Sequence, residues 1–187
     1  SCDWSSDVCS SDLDLTGDYG VGYTFKDEPF LFDLEDYDKI KDFCWYYSKE
    51  EEKYVIASIG NKQQIQMHRI ILDTPEGYMP DHIYHVNYDN RKSELRLSTK
   101  SQNAMNMVTP INNTSGTKGV SWNKLYQSWV SEIITNGESV KKYFKLKDEA
   151  IKYRKKLEIR YHGDFAFKLK EVIPPIEKRY SINNNYL

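Results

Sequence analysis

Two short stretches hold side chains that could do chemistry together: Asp81-His82 and, beginning about a dozen residues later, LRLSTKSQN ending at Asn103. Hydrolysis in general needs a base to deprotonate water and a cation to neutralise the charge that builds on the reacting group. A neutral imidazole with a pKa near ~6.5 can be the base. Oxygen donors such as the Asp81 carboxylate and the Asn103 amide suit a hard divalent ion, Mg²⁺ or Mn²⁺. Two protein ligands leave coordination positions open for phosphate and water.

The surrounding pattern indicates how these groups are carried. MPDHI is a short apolar approach to the Asp-His pair, and VNYDNRKS is polar and reads as a loop. LRL is a very short strand, and Thr99 and Gln102 have capping-box spacing, which starts a helix that carries Asn103. The expected order is strand, loop, strand, helix. Upstream, DLEDYDKIKDF (33–43) has acids early and lysines late, as a helix dipole favours. CWYY and KYVIASI read as strands. IQMHRIIL (65–72) is an apolar run whose type the pattern leaves open.

Downstream, TPINNTSGT (109–117) reads as a linker. GVSW, QSWVSEII and NGESVKKYFKL then predict three short antiparallel strands with a hairpin at NGE, followed by a helix from about Asp148 to Tyr161. That helix is expected to turn Ile151 and Leu157 inward, with Ala150 and Tyr153 as partners.

The net charge of −2 hides a strong polarity: residues 1–60 carry −10, residues 61–108 carry +1 and residues 109–187 carry +7. A basic C-terminal third is the footprint of a polyanion binder. No apolar run approaches the ~18 residues that cross a bilayer, so a cytoplasmic, intracellular protein of bacterial or phage origin is expected, with no membrane and no protein partner implied. Cys2 and Cys9 fall in or beside DWSSDVCSSDL (3–13), an acidic, serine-rich run without period. That run resembles a translated sequencing adapter, so residues 1–13 are expected to be artefact or disordered and the natural protein to read from about Asp14, its true start missing. Cys44 would then stand alone as a core residue, without a disulfide.

Taken together, His68-Arg69, Asp81-His82-Ile83, Asp89-Asn90-Arg91, Leu95-Arg96, Thr99 and Gln102-Asn103 resemble the HNH or ββα-metal nucleases, especially homing endonucleases of phages and bacteria. The resemblance implies that His82 is the base and that Asp81 and Asn103 hold one Mg²⁺ or Mn²⁺. Glu94 stands where the family carries the Asn that orients the catalytic His, and a carboxylate can accept the same hydrogen bond. Tyr84 replaces a small amide, a second departure. The C-terminal stretch resembles the APETALA-type DNA-binding domain, whose three-stranded sheet enters the major groove with a helix behind it.

The resulting expectation is an α+β chain: a ββα-metal nuclease module at 14–108, a linker at 109–117, a three-stranded antiparallel sheet plus one helix at 118–170 and a tail at 171–187. The implied activity is metal-dependent endonuclease cleavage of double-stranded DNA. Arg69, Arg91, Arg96, Lys118, Trp122, Lys124, Trp129, Lys141 and Lys142 are candidate DNA contacts; Ser121, Asn123 and Ser131 accompany Lys141 as candidates for one sheet face. Arg91 or Arg96 could instead pair with Asp89 or Glu94. Trp122 and Trp129 serve a core equally well, as does His68; His85 reads as a loop residue and His162 as a helix-end partner. The alternative function is a catalytically inactive DNA-binding protein or regulator derived from a mobile element.

Overall fold

A computed structural model describes residues 11–49, 53–107, 109, 113–135 and 137–170. The expected tail at 171–187, residues 1–10 and the middle of the expected linker lie outside the described residues. The fold is α+β, with several small antiparallel sheets and few helices. It divides into two compact units: one runs to Lys100 and includes Leu169 and Lys170, the other runs from Ser101 to Lys168.

The first unit opens with three antiparallel strands, β1 (Asp12–Asp14), β2 (Gly20–Tyr23) and β3 (Pro29–Phe32). β2 must be small-sided. Gly20 faces Phe32 and Gly22 faces Phe30 across the ladder, and a Cβ at either glycine would sit about 2 Å from the opposing ring. The rings thus lie over the glycines and fill a core with Ile40, Trp45, Val55, Ala57, Met67, Ile71 and Leu95. Asp12 and Leu13, inside the adapter-like run, pair with Tyr23 and Gly22. A backbone ladder asks little of side chains, so a run without period can still pair at an edge.

The run 33–43 begins with a 3-10 turn, Leu34–Asp36, and continues as a four-residue helix, α1 (Tyr37–Ile40). β4 (Trp45–Tyr47), β5 (Val55–Ser58) and β6 (Gln64–Gln66) form a second sheet. The ambiguous run 65–72 divides between β6 and the helix α2 (Met67–Ile71). Left-handed backbone at Gly60, Asn61 and Lys62 makes the turn that returns the chain along β5. One expectation is corrected: Cys44 is disulfide-bonded. Ser11 accepts a hydrogen bond from the Trp45 amide (2.9 Å), which lays the start of the described chain beside Cys44.

β7 (Met79–His82) and β8 (Leu95–Ser98) form an antiparallel pair, and α3 (Lys100–Asn106) follows β8 directly. In the second unit β9 (Val120–Asn123), β10 (Ser128–Thr135) and β11 (Glu138–Phe144) form one antiparallel sheet ordered β11-β10-β9. The helix α4 (Lys147–Tyr161) packs on it through Ala150, Arg154 and Leu157; Ile151 and Tyr153 are half-buried. Part of the expected linker is ordered as a turn, in which Asn113 Oδ1 accepts from the Ser115 amide (2.9 Å), the Ser115 hydroxyl (2.7 Å) and the Gly116 amide (2.9 Å).

Candidate functional site

The first unit gathers the Asp-His pair among buried polar groups. Register sets Asp81 opposite Arg96 and His82 opposite Leu95, whose side chain joins the core. Loop 83–94 is held at both ends. Leu31 on β3 donates to the Tyr88 carbonyl (2.8 Å) and its own carbonyl receives the Asn90 amide (2.9 Å). Asp33 accepts the Lys92 amide (2.7 Å), and Lys92 Nζ lies 3.1 Å from the buried Asp36 carboxylate. Inside the loop Asp89 grips Arg91 through two hydrogen bonds, 2.7 and 2.6 Å, and the guanidinium covers Tyr19 at 4.7 Å. This bidentate fork is the strong form of a carboxylate–arginine contact.

His82 is 5% exposed. Burial pushes its pKa down to about 4; the Asn90 amide and the charges of Asp81 and Asp89 act the other way. At neutral pH the ring is therefore uncharged, the state a proton acceptor needs. His68 meets it edge to face, centroids 5.0 Å apart, and Tyr54 lies 5.3 Å from His68 and 6.0 Å from His82. Burial, with the charges of His82 and Arg69, pushes His68 down to about 3. His68 Nε2 contacts Gln66 Oε1 at 3.2 Å, while its Nδ1 is buried without a hydrogen-bond partner.

The sequence-derived candidates separate on this geometry. Asp81 receives Arg96: Nε donates to Oδ2 at 2.7 Å and Nη2 lies 2.7 Å from the same oxygen. Arg96 thus pairs with Asp81, and Arg91 pairs with Asp89. Glu94 forms an ion pair with Lys170 at 3.0 Å. The amide that acts on the imidazole belongs to Asn90, which is fully buried and which the sequence reading quoted in the DNR run without giving it a role. Tyr54 and Lys170 were also missed. Their sequence distance from the pair hides them, although Asn90, inside the DNR run, was visible. Arg69 is exposed on α2, and Tyr84 lies under Lys170 Nζ at 5.9 Å from the ring centre. His85 takes a left-handed turn conformation, φ 59°, just after the strand. Asn103 lies on α3 in the second unit, beyond the division at Lys100.

A carboxylate and an amide are hard oxygen donors, and the Asp81 carboxylate already hosts a positive group. By type alone such donors are those that a hard divalent ion takes. Among the described residues no three His, Cys, Asp or Glu side chains form a metal-binding group, and the expected pair is not of that kind.

In the second unit the register resolves which sheet face each candidate occupies. Trp122, Trp129 and Phe144 form one cross-strand row, with the two indoles 5.4 Å apart, edge to face. This row faces α4: Phe144 meets Tyr153 and Lys147 lies over Trp129. Lys142 is on the same side, 5.4 Å above Tyr153, and Ser131 is fully buried there. The open face carries Ser121 and Asn123 on β9, and Ser139, Lys141 and Tyr143 on β11. Lys124 is exposed in the β9–β10 turn. Lys118 is half-buried; its ammonium donates to the Ala104 carbonyl, and burial together with Arg154 lowers its pKa. Buried Arg154 donates to the Glu132 carbonyl and to Glu158 (2.8 Å). Gly119, φ 72°, has no room for a Cβ, which would lie 2.5 Å from both Arg154 and that carbonyl. Burial is the main cause of the lowered His162 pKa, with Arg154 adding to it.

The chain is thus an α+β protein whose first unit buries a polar Asp-His cluster and whose second is a sheet backed by one helix. Over 94 residues it is 34% identical to Protein 3.8 of Escherichia phage T7, a match spanning 49% of this chain and 76% of that protein. The chain belongs to the family of that phage protein. No family model and no solved structure matches it. No helix among the described residues is long and apolar enough to cross a membrane.

Proposed function

We propose that the chain is a metal-dependent endonuclease of the HNH type, acting on duplex DNA, with a first module that cuts and a second that holds the substrate. The observation that carries this reading is the Asp81-His82 pair at the buried end of β7, its imidazole kept neutral by desolvation. The chain order β7, β8, α3 matches that of a ββα-metal module and supports the same reading.

In this mechanism His82 accepts the proton of the attacking water, and Asn90 with the packed rings of His68 and Tyr54 fixes the imidazole plane. Within the first unit Asp81 would be the residue that holds the ion. A bound Mg²⁺ or Mn²⁺ would supply charge neutralisation at the phosphate oxygens. Arg69, exposed on α2, offers a phosphate contact. The open sheet face, with Asn123, Ser121, Lys141 and the exposed Lys124, is of the width that a major groove admits. Lysines without arginines on that face favour backbone-dominated, salt-sensitive binding.

The test is nicking of supercoiled plasmid. Mg²⁺ or Mn²⁺ is expected to produce nicked or linear DNA, and excess EDTA to stop it. A folded protein that retards duplex DNA yet leaves the plasmid intact with either ion would favour the non-catalytic DNA-binding reading.

A further inference from the structure

The second unit holds a pocket of about 510 Å³, walled by α3, the start of β9, the end of β10 and the C-terminal part of α4. That volume lies inside the range of small-molecule sites. Three basic side chains line it: Lys118, Arg154 and His162. Arg154 is 3% exposed and His162 9%. Arg154 uses Nε on Glu158 and Nη1 on the Glu132 carbonyl, and Nη2 takes part in neither bond. Lys118 holds the Ala104 carbonyl with one of its ammonium protons. Nδ1 of His162 is buried and has no hydrogen-bond partner among the described residues. A buried polar atom in that state calls for a reason, and a ligand is one. The basic groups also disturb one another. Burial first, then the charge of Arg154, lowers the Lys118 pKa, and burial with Arg154 and Lys118 lowers that of His162. Glu158 opposes both shifts, and its carboxylate already receives Arg154. The Glu132 carboxylate turns instead to Ser139 and Lys141 on β11.

We propose that this pocket binds a small phosphate monoester, its terminal oxygens seated on Lys118, Arg154 and His162. Such a group carries about −1.5 to −2 charge near neutrality and three acceptor oxygens. It therefore matches three basic side chains better than a carboxylate or a phosphodiester, each with two free oxygens and one charge. Hydrogen bonds from charged donors to an anion are the strong kind, and an anion set between two cations turns their repulsion into attraction. The exposed hydroxyls of Ser101 and Ser121, with Met105 and the buried Ile133, give the rest of the ligand a wall that is part polar and part apolar, as the sugar of a nucleotide requires. A free nucleotide and the 5′-phosphate at the end of a DNA strand present the same group. The site uses no residue of the Asp81-His82 cluster and does not depend on the nuclease reading.

The test follows the His162 ring protons by magnetic resonance in the whole protein, assigned by their loss in His162→Gln. Thymidine 5′-monophosphate or inorganic phosphate, added at millimolar concentration, should shift these signals and raise the pH at which the ring titrates, because a bound anion favours imidazolium. Dimethyl phosphate, a diester, should move them far less. Lys118→Ala should weaken nucleotide binding about tenfold, the loss of one hydrogen bond to a charged group. Circular dichroism must report that variant folded; the titration of the unmutated protein decides alone if it is not. A short duplex with or without a 5′-phosphate separates the two sources. A shift with the phosphorylated duplex and none without the phosphate assigns the pocket to strand ends, and a shift with the nucleotide alone assigns it to free phosphates. Ring signals unmoved by phosphate, nucleotide and phosphorylated duplex overturn the site. A shift as large with dimethyl phosphate as with the nucleotide also overturns it.

Discussion

The two units solve opposite problems with similar materials. The first buries charge: Asp36, Asp81, Asp89, His68, His82 and Asn90 all lie inside, held by Lys92, Arg96, Arg91 and one another. The second keeps nearly all its charge outside; Arg154 is the buried charged exception among its described residues, and it serves the fold through the Glu132 carbonyl and Glu158. Buried polar networks stabilise a structure poorly and specify geometry well. An exposed lysine-bearing sheet specifies little and attracts polyanions at long range. The contrast is what a division between chemistry and holding requires.

The largest expected effect breaks the first unit. Asp89→Ala leaves Arg91 without its two-pronged partner and should lower unfolding free energy by about 3 kcal/mol, measured by urea denaturation. A loss under ~0.5 kcal/mol would mean that the clamp is incidental. Next is packing: Gly22→Val pushes a branched side chain into the Phe30 ring and should cost about 1–3 kcal/mol.

Acid separates the units more finely. His82 and His68 sit at about 4 and 3, below their ordinary 6.5. The unfolded chain therefore takes up protons first as pH falls. Their contribution to stability is whole above pH 6.5 and drains away between there and about 4, then 3. Melting temperature should decline across that range, and His68→Gln should flatten the decline. A profile flat from pH 7 to 4.5 would contradict the buried neutral pair.

The smallest effect sharpens the other half. Lys141→Ala removes an exposed ion pair with Glu132 at 3.8 Å, worth little to folding. On the holding account it weakens duplex DNA binding a few-fold and lowers the salt slope by about one ion. Lys142→Ala, on the helix side, should change binding less. Gel retardation at several salt concentrations distinguishes them, and equal effects would place the substrate on neither face.

How far the sequence foretold this depends on the kind of signal. The second unit was readable because its patterns are local: alternating strands, an NGE hairpin and a helix that buries Leu157 as expected, though Ala150 rather than Ile151 is the other apolar residue fully inside. Facing was not readable, since alternation yields two faces without naming the one that α4 covers. In the first unit DHI and LRL announced two paired strands, and VNYDNRKS announced its loop. The run 33–43 shortened to a single helical turn after a 3-10 start, and 65–72 divided between strand and helix. The partners of His82 were hidden because Tyr54 and His68 reach it only through folding. Glu94 drew attention by position, and its side chain meets Lys170, a partner far along the chain. The pairing of Asp81 with Arg96 follows from register, which no local pattern fixes.

The most direct test of the central claim compares the unmutated protein with His82→Ala in one Mg²⁺ buffer, scoring plasmid nicking and duplex retardation side by side. The account predicts nicking lost by at least ~100-fold with binding held within a few-fold. Nicking that survives the substitution, or binding that falls in step with it, would contradict a chemistry housed in the first unit and a grip housed in the second.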